Sequence, residues 1–256
     1  MKCVGLIAFA LLLAACAGSN AARVAPAVEH VDLGDDLELR ELADGLWLHV
    51  SSKEMPGYGK VPSNGLVVLG PDGALLVDTP WTPSQTQALV AWIEQVQRSR
   101  LVDVVVTHAH EDRTGGVAAL ADEVRIHALA ETAALSAGLG RPFTPVELPP
   151  TASLDLAGGK IETFFPGAGH APDNIVVWLP ERQLLFGGCF VKAGAAGNLG
   201  NVADADLASW GGAVERVRER YPDADVVVPG HGPLGGPELL VHTGALIEAA
   251  GGEQAR

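Results

Sequence analysis

The feature that most constrains the fold of this chain is a set of short apolar runs, each followed directly or within a short loop by a residue of metal-binding type. The runs and their followers are 74–77 with Asp78, 102–106 with His108, His110 and Asp112, 161–165 with His170, 184–186 with Cys189, and 225–228 with His231. Short runs of this composition are typical of buried β-strands. In α/β folds the loops that follow the strands commonly gather functional groups along one edge. The pattern therefore predicts sheets that bring these side chains to one edge.

Further strand-like runs complete this pattern. They lie at 46–50, 64–69, 124–127 and 175–179, and a Gly-Pro-Asp-Gly turn at 70–73 joins two of the strands. Several runs are apolar on both faces, as strands covered on both sides are. Groups of strands precede helical patterns in each half of the chain, which favours sheets covered by helices over an all-β arrangement. We predict an α/β sandwich.

Helical patterns occupy the segments between strand groups. The first helix is predicted to begin at Pro83, with Thr82 as its N-cap and Gln85 completing a capping box. Its apolar stripe consists of Leu89, Trp92, Ile93 and Val96. Other helices are predicted at about 115–122, 130–138, 205–220 and 237–250. The Pro-rich segment 141–150 is interpreted as a link between the two halves.

The N-terminus has the pattern of an export signal. Residues 1–15 contain Lys2, an apolar stretch too short for a comfortable membrane span, and small residues before Cys16. Residues 13–16, Leu-Ala-Ala-Cys, have the form of a lipobox, which predicts lipidation of Cys16; the alternative is an ordinary signal peptide with an incidental cysteine. Residues 16–30 are predicted to be a tether and 31–256 a single domain. Ala17 after the cysteine favours the outer membrane, on its periplasmic side.

Net charge and cysteine content limit the binding partners of the protein and the roles open to Cys189. The formal net charge is −14, and removing Lys2 with the signal makes it −15, so a basic surface for nucleic acid is not expected. If Cys3 leaves with the signal and Cys16 carries the anchor, Cys189 is the only thiol of the folded domain. It then has no partner for an intramolecular disulfide. Cys189 is therefore either a metal ligand or a small buried apolar side chain.

The donor residues divide into two possible metal sites. His108 and His110 are two positions apart, so in an extended loop both imidazoles can point the same way, and with His170 they form a three-histidine set typical of catalytic zinc. The remaining donors are Asp112, Cys189 and His231. One carboxylate, one thiolate and one imidazole suit a second zinc. The alternative is that all six are separate loop residues.

Other residues near these donors have more than one interpretation. Asp78 is either a turn former or a buried carboxylate that orients the site. Arg113 is either a solvated charge or the buried partner of a nearby carboxylate. The remaining histidines are predicted to be surface or hydrogen-bonded core residues, namely His30, His49, His127 and His242.

The motifs taken together resemble a known family. They are His-Ala-His-Glu-Asp at 108–112, Gly-Ala-Gly-His at 167–170, Phe-Gly-Gly-Cys-Phe-Val-Lys at 186–192, and Pro-Gly-His-Gly at 229–232. In this order the chain, from about 37 to 250, is similar to subclass B1 metallo-β-lactamases, with residues 55–59, 63–66 and 77–82 most like the New Delhi-type members. Arg113 stands where glyoxalase II, lactonases and subclass B3 enzymes have a histidine, and His108 distinguishes the chain from subclass B2.

The resemblance implies an αβ/βα four-layer sandwich that holds two Zn²⁺ ions at one edge. His108, His110 and His170 would bind the first zinc, and Asp112, Cys189 and His231 would bind the second. A hydroxide that bridges the two ions would attack the amide bond of penicillins, cephalosporins and carbapenems, which confers antibiotic resistance. Of these ligands, Asp112 is also assigned a catalytic role.

The resemblance also assigns the substrate-binding residues. Asn201 would stabilise the developing oxyanion together with the first zinc, and Lys192 would pair with the carboxylate of the substrate. Met55 would belong to a hairpin flap over the substrate, and Trp81 to the apolar wall beneath it. The enzyme is expected to be a monomer.

The chain departs from the family pattern in three places: the short Pro-rich segment near 130–150, Ala171 where a hydroxyl residue is common, and the Pro-Gly-His-Gly-Pro context of His231. Two competing functions are a hydrolase of the same fold that acts on a lactone or thioester, and a non-catalytic zinc-binding lipoprotein. Lys192 and the apolar flap disfavour the first, and the absence of a His-rich acidic tract in the sequence disfavours the second.

Overall fold

The computed structural model describes residues 29–254, with side chains described as far as residue 251. The predicted signal, the lipidation site Cys16 and nearly all of the predicted tether lie outside the described residues. The first strand begins at His30, the last residue of that tether. Within the described range, no helix has both the length and the apolar character needed to cross a membrane.

The first sheet contains eight strands in chain order. They are β1 (His30–Gly34), β2 (Leu37–Ala43), β3 (Leu46–Met55), β4 (Gly59–Gly70), β5 (Gly73–Val77), β6 (Leu101–Val105), β7 (Arg125–Ala128) and β8 (Pro145–Glu147). Strands β1 to β5 pair antiparallel, whereas β5 to β8 pair parallel. The parallel strands need crossover connections, and these connections carry the first helices.

The second sheet contains five strands. They are β9 (Thr151–Leu156), β10 (Gly159–Phe164), β11 (Val176–Leu179), β12 (Leu184–Gly188) and β13 (Val226–Pro229), and their spatial order is β13-β12-β11-β10-β9. Only β12 and β13 pair parallel among these strands. The connection between them contains one of the helices that cover this sheet.

Five α-helices complete the described part of the chain. They are α1 (Pro83–Gln95), α2 (Glu111–Thr114), α3 (Ala130–Gly138), α4 (Leu207–Arg220) and α5 (Glu238–Gln254). The predicted helix at 130–138 is therefore confirmed, and those predicted at 205–220 and 237–250 are confirmed with shifted ends. Helix α1 begins at Pro83 as predicted.

Three apolar clusters define the layers. Residues such as Leu66 and Phe186 fill the space between the two sheets. On the outer face of the first sheet, Trp47 of β3 meets Trp92 of α1 edge to face, with ring centroids 4.9 Å apart. Trp210 of α4 is buried in the cluster on the outer face of the second sheet. Fully burying an apolar side chain such as Leu66 or Phe186 contributes about 1.5–3 kcal/mol to the stability of the fold. The arrangement of sheets and helices confirms the predicted four-layer sandwich.

The helix predicted at 115–122 is wrong. Helix α2 ends at Thr114, and only a single 3-10 turn follows at Val117–Ala119. A Cβ on Gly115 would lie 2.0 Å from the Trp81 carbonyl oxygen, and one on Gly116 would lie 1.8 Å from Thr86 Oγ1. The two glycines thus allow close packing against Trp81 and the first turn of α1. Glycine is also a poor helix former.

Two details of α1 differ from prediction. Thr82 Oγ1 accepts from the backbone N–H of Gln85 at 3.2 Å, which confirms the N-cap. The capping box is wrong, because Gln85 Oε1, which would have to accept from the Thr82 N–H, has no hydrogen-bond partner among the described residues. Gln85 Nε2 donates to the carbonyls of Asp35 at 2.8 Å and Ser52 at 2.9 Å. Val96 does not belong to the apolar stripe, since it follows the helix as its C-cap and is 62% exposed.

The segment 141–150, predicted to link the two halves of the chain, also contains a β-strand. Its residues Pro145–Glu147 form β8, which pairs parallel with β7 and closes the first sheet. Proline at the first position of an edge strand costs no ladder hydrogen bond, so the Pro-rich composition is compatible with this strand.

Candidate metal centre

The candidate metal centre lies where several strands end at one edge of the sandwich. His108 and His110 follow β6, Cys189 follows β12 and His231 follows β13. Backbone hydrogen bonds join the two sheets at this edge: Asn64 N–H of β4 donates to Gly230 O at 2.9 Å, and Ile175 N–H donates to Thr107 O at 2.9 Å. The loops that carry the donors are therefore held to one another and to the rigid strands.

Three histidines form the first donor cluster. His110 Nδ1 lies 3.2 Å from His108 Nε2 and 3.1 Å from His170 Nε2. A tetrahedral zinc with bonds of about 2.0–2.1 Å holds two nitrogen ligands roughly 3.3 Å apart. The spacing of the three ring nitrogens thus fits a shared zinc.

The ring nitrogens that face away from this cluster have partners that set the tautomer of two of the rings. His110 Nε2 lies 2.9 Å from Asp204 Oδ2, so we assign its proton to Nε2 and leave Nδ1 free to bind metal. Thr107 Oγ1 lies 3.3 Å from His108 Nδ1. Burial lowers the pKa of His108 and of His170 well below the usual range, which keeps both rings in the neutral form that binds metal.

A carboxylate, a thiol and an imidazole form the second donor cluster. Cys189 Sγ lies 3.2 Å from Asp112 Oδ2 and 3.3 Å from His231 Nε2, and His231 Nε2 lies 3.3 Å from Asp112 Oδ2. His231 Nδ1 donates a hydrogen bond to the Pro62 carbonyl oxygen at 2.6 Å, so the unprotonated Nε2 is the atom that can bind metal. This mixture of N, O and S donors also suits zinc.

The two clusters adjoin each other. One donor atom each from His108, Asp112 and Cys189 lies within 4.8 Å of the other two, although His108 belongs to the three-histidine set. The six predicted ligands therefore meet at one place, and each cluster has three donors. The other histidines belong to neither cluster: within residues 29–254 they form hydrogen bonds elsewhere, namely His30, His49, His127 and His242.

Arg113 lies directly behind the second cluster and has no exposed surface. Its Nη2 is 2.8 Å from Asp112 Oδ2, and it donates to Cys189 Sγ and to the Gly230 carbonyl, both at 3.0 Å. Its Nη1 donates to the Asn64 carbonyl and lies 3.3 Å from Asp78 Oδ2. The structure places Arg113 as a buried partner of carboxylates rather than as a solvated charge, and pairing offsets the cost of burying it.

Asp78 combines the two roles that the sequence left open. Its backbone has a φ of 60°, in the left-handed region used by tight turns, and its side chain is fully buried. The carboxylate accepts from Thr107 N–H at 2.7 Å and from Thr107 Oγ1 at 2.8 Å. Asp78 thus holds the residue that precedes His108, and its second oxygen faces Arg113.

Burial and Arg113 act in opposite directions on the ionisable ligands. Burial raises the pKa of Asp112, but Arg113, with smaller contributions from His231, Cys189 and His110, outweighs it and holds that pKa well below the usual range. Burial raises the pKa of the Cys189 thiol to about 12 against the opposing charge of Arg113. A bound cation favours the thiolate, so metal binding by Cys189 releases a proton.

A cavity of about 700 Å³ opens beside the two clusters. The predicted substrate residues Met55, Trp81, Lys192 and Asn201 all line it. Met55 ends β3 next to the tip of the β3–β4 hairpin, and the tip itself carries Tyr58, 71% exposed. The structure therefore brings the predicted flap, wall and polar residues to the same cavity.

Lys192 and Asn201 are held by nearby groups. The backbone N–H of Lys192 donates to Thr243 Oγ1 at 2.9 Å, and its Nζ lies 5.3 Å from the centroid of the Trp210 ring. Burial lowers the pKa of Lys192. Asn201 Oδ1 accepts from Ala203 N–H at 3.1 Å, so the amide Nδ2 remains as a donor.

Three residues of the site were not predicted from the sequence. Asp204 contacts the ligand His110, Glu111 lines the cavity and pairs with Lys53 at 2.6 Å, and Arg141 lines the cavity from the segment after α3. Glu111 stands between two ligands in the chain, which was a usable signal. Asp204 and Arg141 lie in irregular segments without a motif, so only the folded chain reveals them.

Comparisons with known proteins agree with this geometry. The profile of the metallo-β-lactamase superfamily matches residues 58–231. The chain is 38% identical over 250 residues to the metallo-beta-lactamase type 2 of Bacillus cereus, covering 96% of each chain. It is 41% identical to the corresponding protein of Bacillus sp. (strain 170), covering 83% of this chain and 82% of the relative.

Solved structures show the same similarity. A metallo-beta-lactamase from Pontibacter korlensis superposes with a TM-score of 0.79 at 42% identity, covering 83% of this chain and 99% of that protein. FIM-1 from Pseudomonas aeruginosa, solved in a mono-zinc form, superposes with a TM-score of 0.79 at 37% identity, covering 86% of this chain and 99% of that protein. With this fold, these donor clusters and a family profile that spans most of the sandwich, the chain belongs to the metallo-β-lactamase superfamily.

Proposed function

We propose that this protein is a zinc-dependent β-lactamase that hydrolyses the amide bond of the β-lactam ring. The observation that carries the proposal is the pair of three-donor clusters beside a cavity lined by Lys192 and Asn201. The names of the relatives support it, since those from Bacillus are metallo-beta-lactamases type 2. The substrate class proposed is that of penicillins, cephalosporins and carbapenems.

The donor sets support two zinc ions. His108, His110 and His170 would hold one ion, and Asp112, Cys189 and His231 would hold the other. When bound, zinc lowers the pKa of a coordinated water and withdraws electrons from a carbonyl oxygen. The buried Arg113 compensates the negative charge of the second donor set, and Asp204 and Asp78 orient the first. His108 and His110 of the first set and Asp112 and Cys189 of the second are thus positioned before substrate arrives.

Lys192 and Asn201 recognise the substrate. Lys192 pairs with the carboxylate that these antibiotics share, and its burial strengthens the pair because little water screens it. Asn201 Nδ2 donates to the oxygen that gains negative charge as the amide bond is attacked, because its Oδ1 is already engaged by Ala203. A lactone or thioester that lacks a carboxylate would leave Lys192 unpaired, which favours β-lactams.

The β3–β4 hairpin covers the apolar part of the substrate. Met55 and Trp81 line the cavity, and Trp81 is held at its backbone by Ser51 Oγ, which accepts from Trp81 N–H at 3.3 Å. The exposed hairpin tip can move towards a bound substrate while the wall beneath remains fixed. This arrangement excludes water from the side chain of the substrate.

We further propose that the protein is a monomer anchored by lipidated Cys16 to the periplasmic side of the outer membrane, where it would confer antibiotic resistance. The support is the lipobox form of residues 13–16 and Ala17 after the cysteine. A Cys16→Ser variant should move the protein from the membrane fraction to the soluble periplasmic fraction. Equal membrane retention in the variant would contradict the anchor.

Hydrolysis of a carbapenem and of a chromogenic cephalosporin by the purified soluble domain tests the proposed function. Turnover should require zinc, stop with a chelator and return when zinc is added back. A lactone and a thioester serve as comparison substrates in the same assay. Absence of zinc-dependent turnover on both β-lactams would refute the proposal, and faster turnover of the lactone or thioester would reassign the substrate class.

A further inference from the structure

Not every charged side chain that lines the cavity has a partner of opposite charge. Two acidic residues of the lining have a cationic neighbour: Glu111 pairs with Lys53 at 2.6 Å, and Asp112 with Arg113 at 2.8 Å. The third, Asp204, accepts from the neutral ring of His110 at 2.9 Å. Lys192 and Arg141 also line the cavity, and neither forms an ion pair with a carboxylate within residues 29–254. Two cations of the cavity therefore have no acidic partner in the part of the chain that the structure describes.

Neutral acceptors hold the Arg141 side chain in place. Its Nε donates to Thr114 Oγ1 at 2.8 Å, and its Nη2 donates to the Ala109 carbonyl at 3.0 Å, between the ligands His108 and His110. Its Nη1 donates to the Leu139 carbonyl at 3.4 Å. A guanidinium has more N–H donors than these contacts use, and carbonyl and hydroxyl oxygens do not neutralise its charge. Arg141 is thus a fixed, half-buried cation with donors to spare at the cavity wall.

We propose that Arg141 binds a second anionic group of the substrate, a carboxylate on the acyl side chain of the β-lactam. This inference rests on the proposed function, in which Lys192 takes the carboxylate that all these substrates share. The planar guanidinium matches a carboxylate in shape and charge. The proposal therefore makes Arg141 a specificity-determining residue that favours dianionic β-lactams over monoanionic ones.

The surroundings of Arg141 suit the side chain of a substrate. Leu139 and Tyr58, both exposed, line the same cavity and offer apolar contacts. Glu111 does not repel the incoming carboxylate strongly, because Lys53 neutralises it at 2.6 Å. An anionic side chain can therefore enter between an apolar rim and an unpaired cation.

A matched pair of penicillins tests the proposal with the zinc-loaded protein. One is benzylpenicillin, and the other is the same molecule with a carboxylate on the α-carbon of its side chain. The measured quantity is the ratio of kcat/KM for the carboxylated compound to that for the parent. Arg141→Gln should lower this ratio about tenfold, mostly through KM, as expected for the loss of one charge-assisted hydrogen bond. Arg141→Lys should retain part of this preference. Salt should lower the ratio in the wild type and, to a smaller extent, in Arg141→Lys, but not in Arg141→Gln.

Arg100→Gln is the matched control, because Arg100 is an exposed arginine paired with Glu123 at 3.1 Å and does not line this cavity. It should leave the ratio unchanged. An unchanged ratio in Arg141→Gln would overturn the proposal, and so would an equal loss on both penicillins, since Arg141 would then act only through Ala109 and Thr114.

If the proposed function fails, substrate binding rather than turnover decides whether Arg141 is an anion site. If the wild type hydrolyses neither penicillin, the dissociation constants of both compounds are measured by calorimetry with the zinc-loaded wild type and Arg141→Gln. Tighter binding of the carboxylated compound that disappears in Arg141→Gln supports the anion site without turnover. Equal binding of the two compounds by the wild type would refute it.

Discussion

The guanidinium of Arg113 donates to the thiol sulfur of Cys189 at 3.0 Å and lies 2.8 Å from the carboxylate of Asp112. One buried cation thus contacts two of the three donors of the second cluster. Because a buried charge requires pairing, the position of Arg113 and the positions of these donors depend on each other. Arg113 therefore supports the second donor cluster from behind.

Replacing Arg113 should therefore affect stability and zinc binding together. Arg113→Met leaves the carboxylates of Asp78 and Asp112 buried without their cation, and we expect a loss of about 3–5 kcal/mol in the free energy of unfolding. Urea denaturation measures this loss, and metal analysis should show weaker binding of one zinc. Arg113→Lys keeps the charge and should lose less. Wild-type stability in the methionine variant would contradict the pairing.

Cys189→Ser should separate the two metal sites. Serine is nearly the same size but a poorer zinc ligand, so the variant should fold normally and hold one zinc instead of the two proposed for the wild type. Circular dichroism checks the fold, metal analysis counts zinc, and turnover of a cephalosporin should fall. Two tightly bound zincs with wild-type turnover in this variant would show that Cys189 is not a ligand.

Asp204 should act on metal binding without being a ligand. Its carboxylate faces His110 Nε2 at 2.9 Å, and Asp204→Ala removes the group that holds this ring in its metal-binding tautomer. Loss of such a partner typically lowers metal affinity about 10–100-fold. Competition with a zinc chelator measures the affinity, and Asp206→Ala serves as the control, because Asp206 caps α4 instead. Equal zinc affinity of Asp204→Ala and wild type would contradict this role.

Two glycines provide a matched test of packing behind the site. A Cβ on Gly115 would lie 2.0 Å from the Trp81 carbonyl oxygen, whereas one on Gly138 meets nothing within 4 Å. Gly115→Ala should cost about 1–3 kcal/mol of stability through overpacking. Gly138→Ala should be neutral or stabilise by up to about 1 kcal/mol, because alanine restricts the unfolded chain. Thermal denaturation compares them, and equal effects would contradict the contact.

Asp103 should contribute to stability in a pH-dependent way. Burial raises its pKa, but hydrogen bonds from Arg125 and His127 outweigh that effect, so the pKa lies below its ordinary value. A carboxyl group whose pKa is lowered by folding stabilises the protein above its unfolded pKa, and this contribution disappears as the pH falls through the folded value. The free energy of unfolding of wild type minus Asp103→Asn should therefore decrease below about pH 4. A difference that is constant from pH 7 to pH 3 would contradict this linkage.

Local sequence was sufficient for much of the fold. The helix at Ala130–Gly138 and the strand β5 follow from hydrophobic patterns and turn residues, which depend only on neighbours in the chain. The prediction at 115–122 failed because Gly115 and Gly116 serve a contact with the chain near Trp81 and Thr86. The capping box failed because the Gln85 amide donates to the backbone carbonyls of Asp35, in the turn between β1 and β2, and of Ser52 in β3. Both failures are places where a distant contact overrides a local preference.

The sequence by itself determined the set of donors and their placement after strands, since residue type and local periodicity carry that information. Only the tertiary structure decided which of the metal-binding atoms meet. It also decided that Arg113 is buried behind Cys189. Asp204 and Arg141 likewise reach the site only in the folded chain. The physical reason is the distance along the chain: Arg113 and Cys189 are 76 residues apart, and Asp204 and His110 are 94 apart. Such contacts form only when the two sheets pack and their strand ends share one edge.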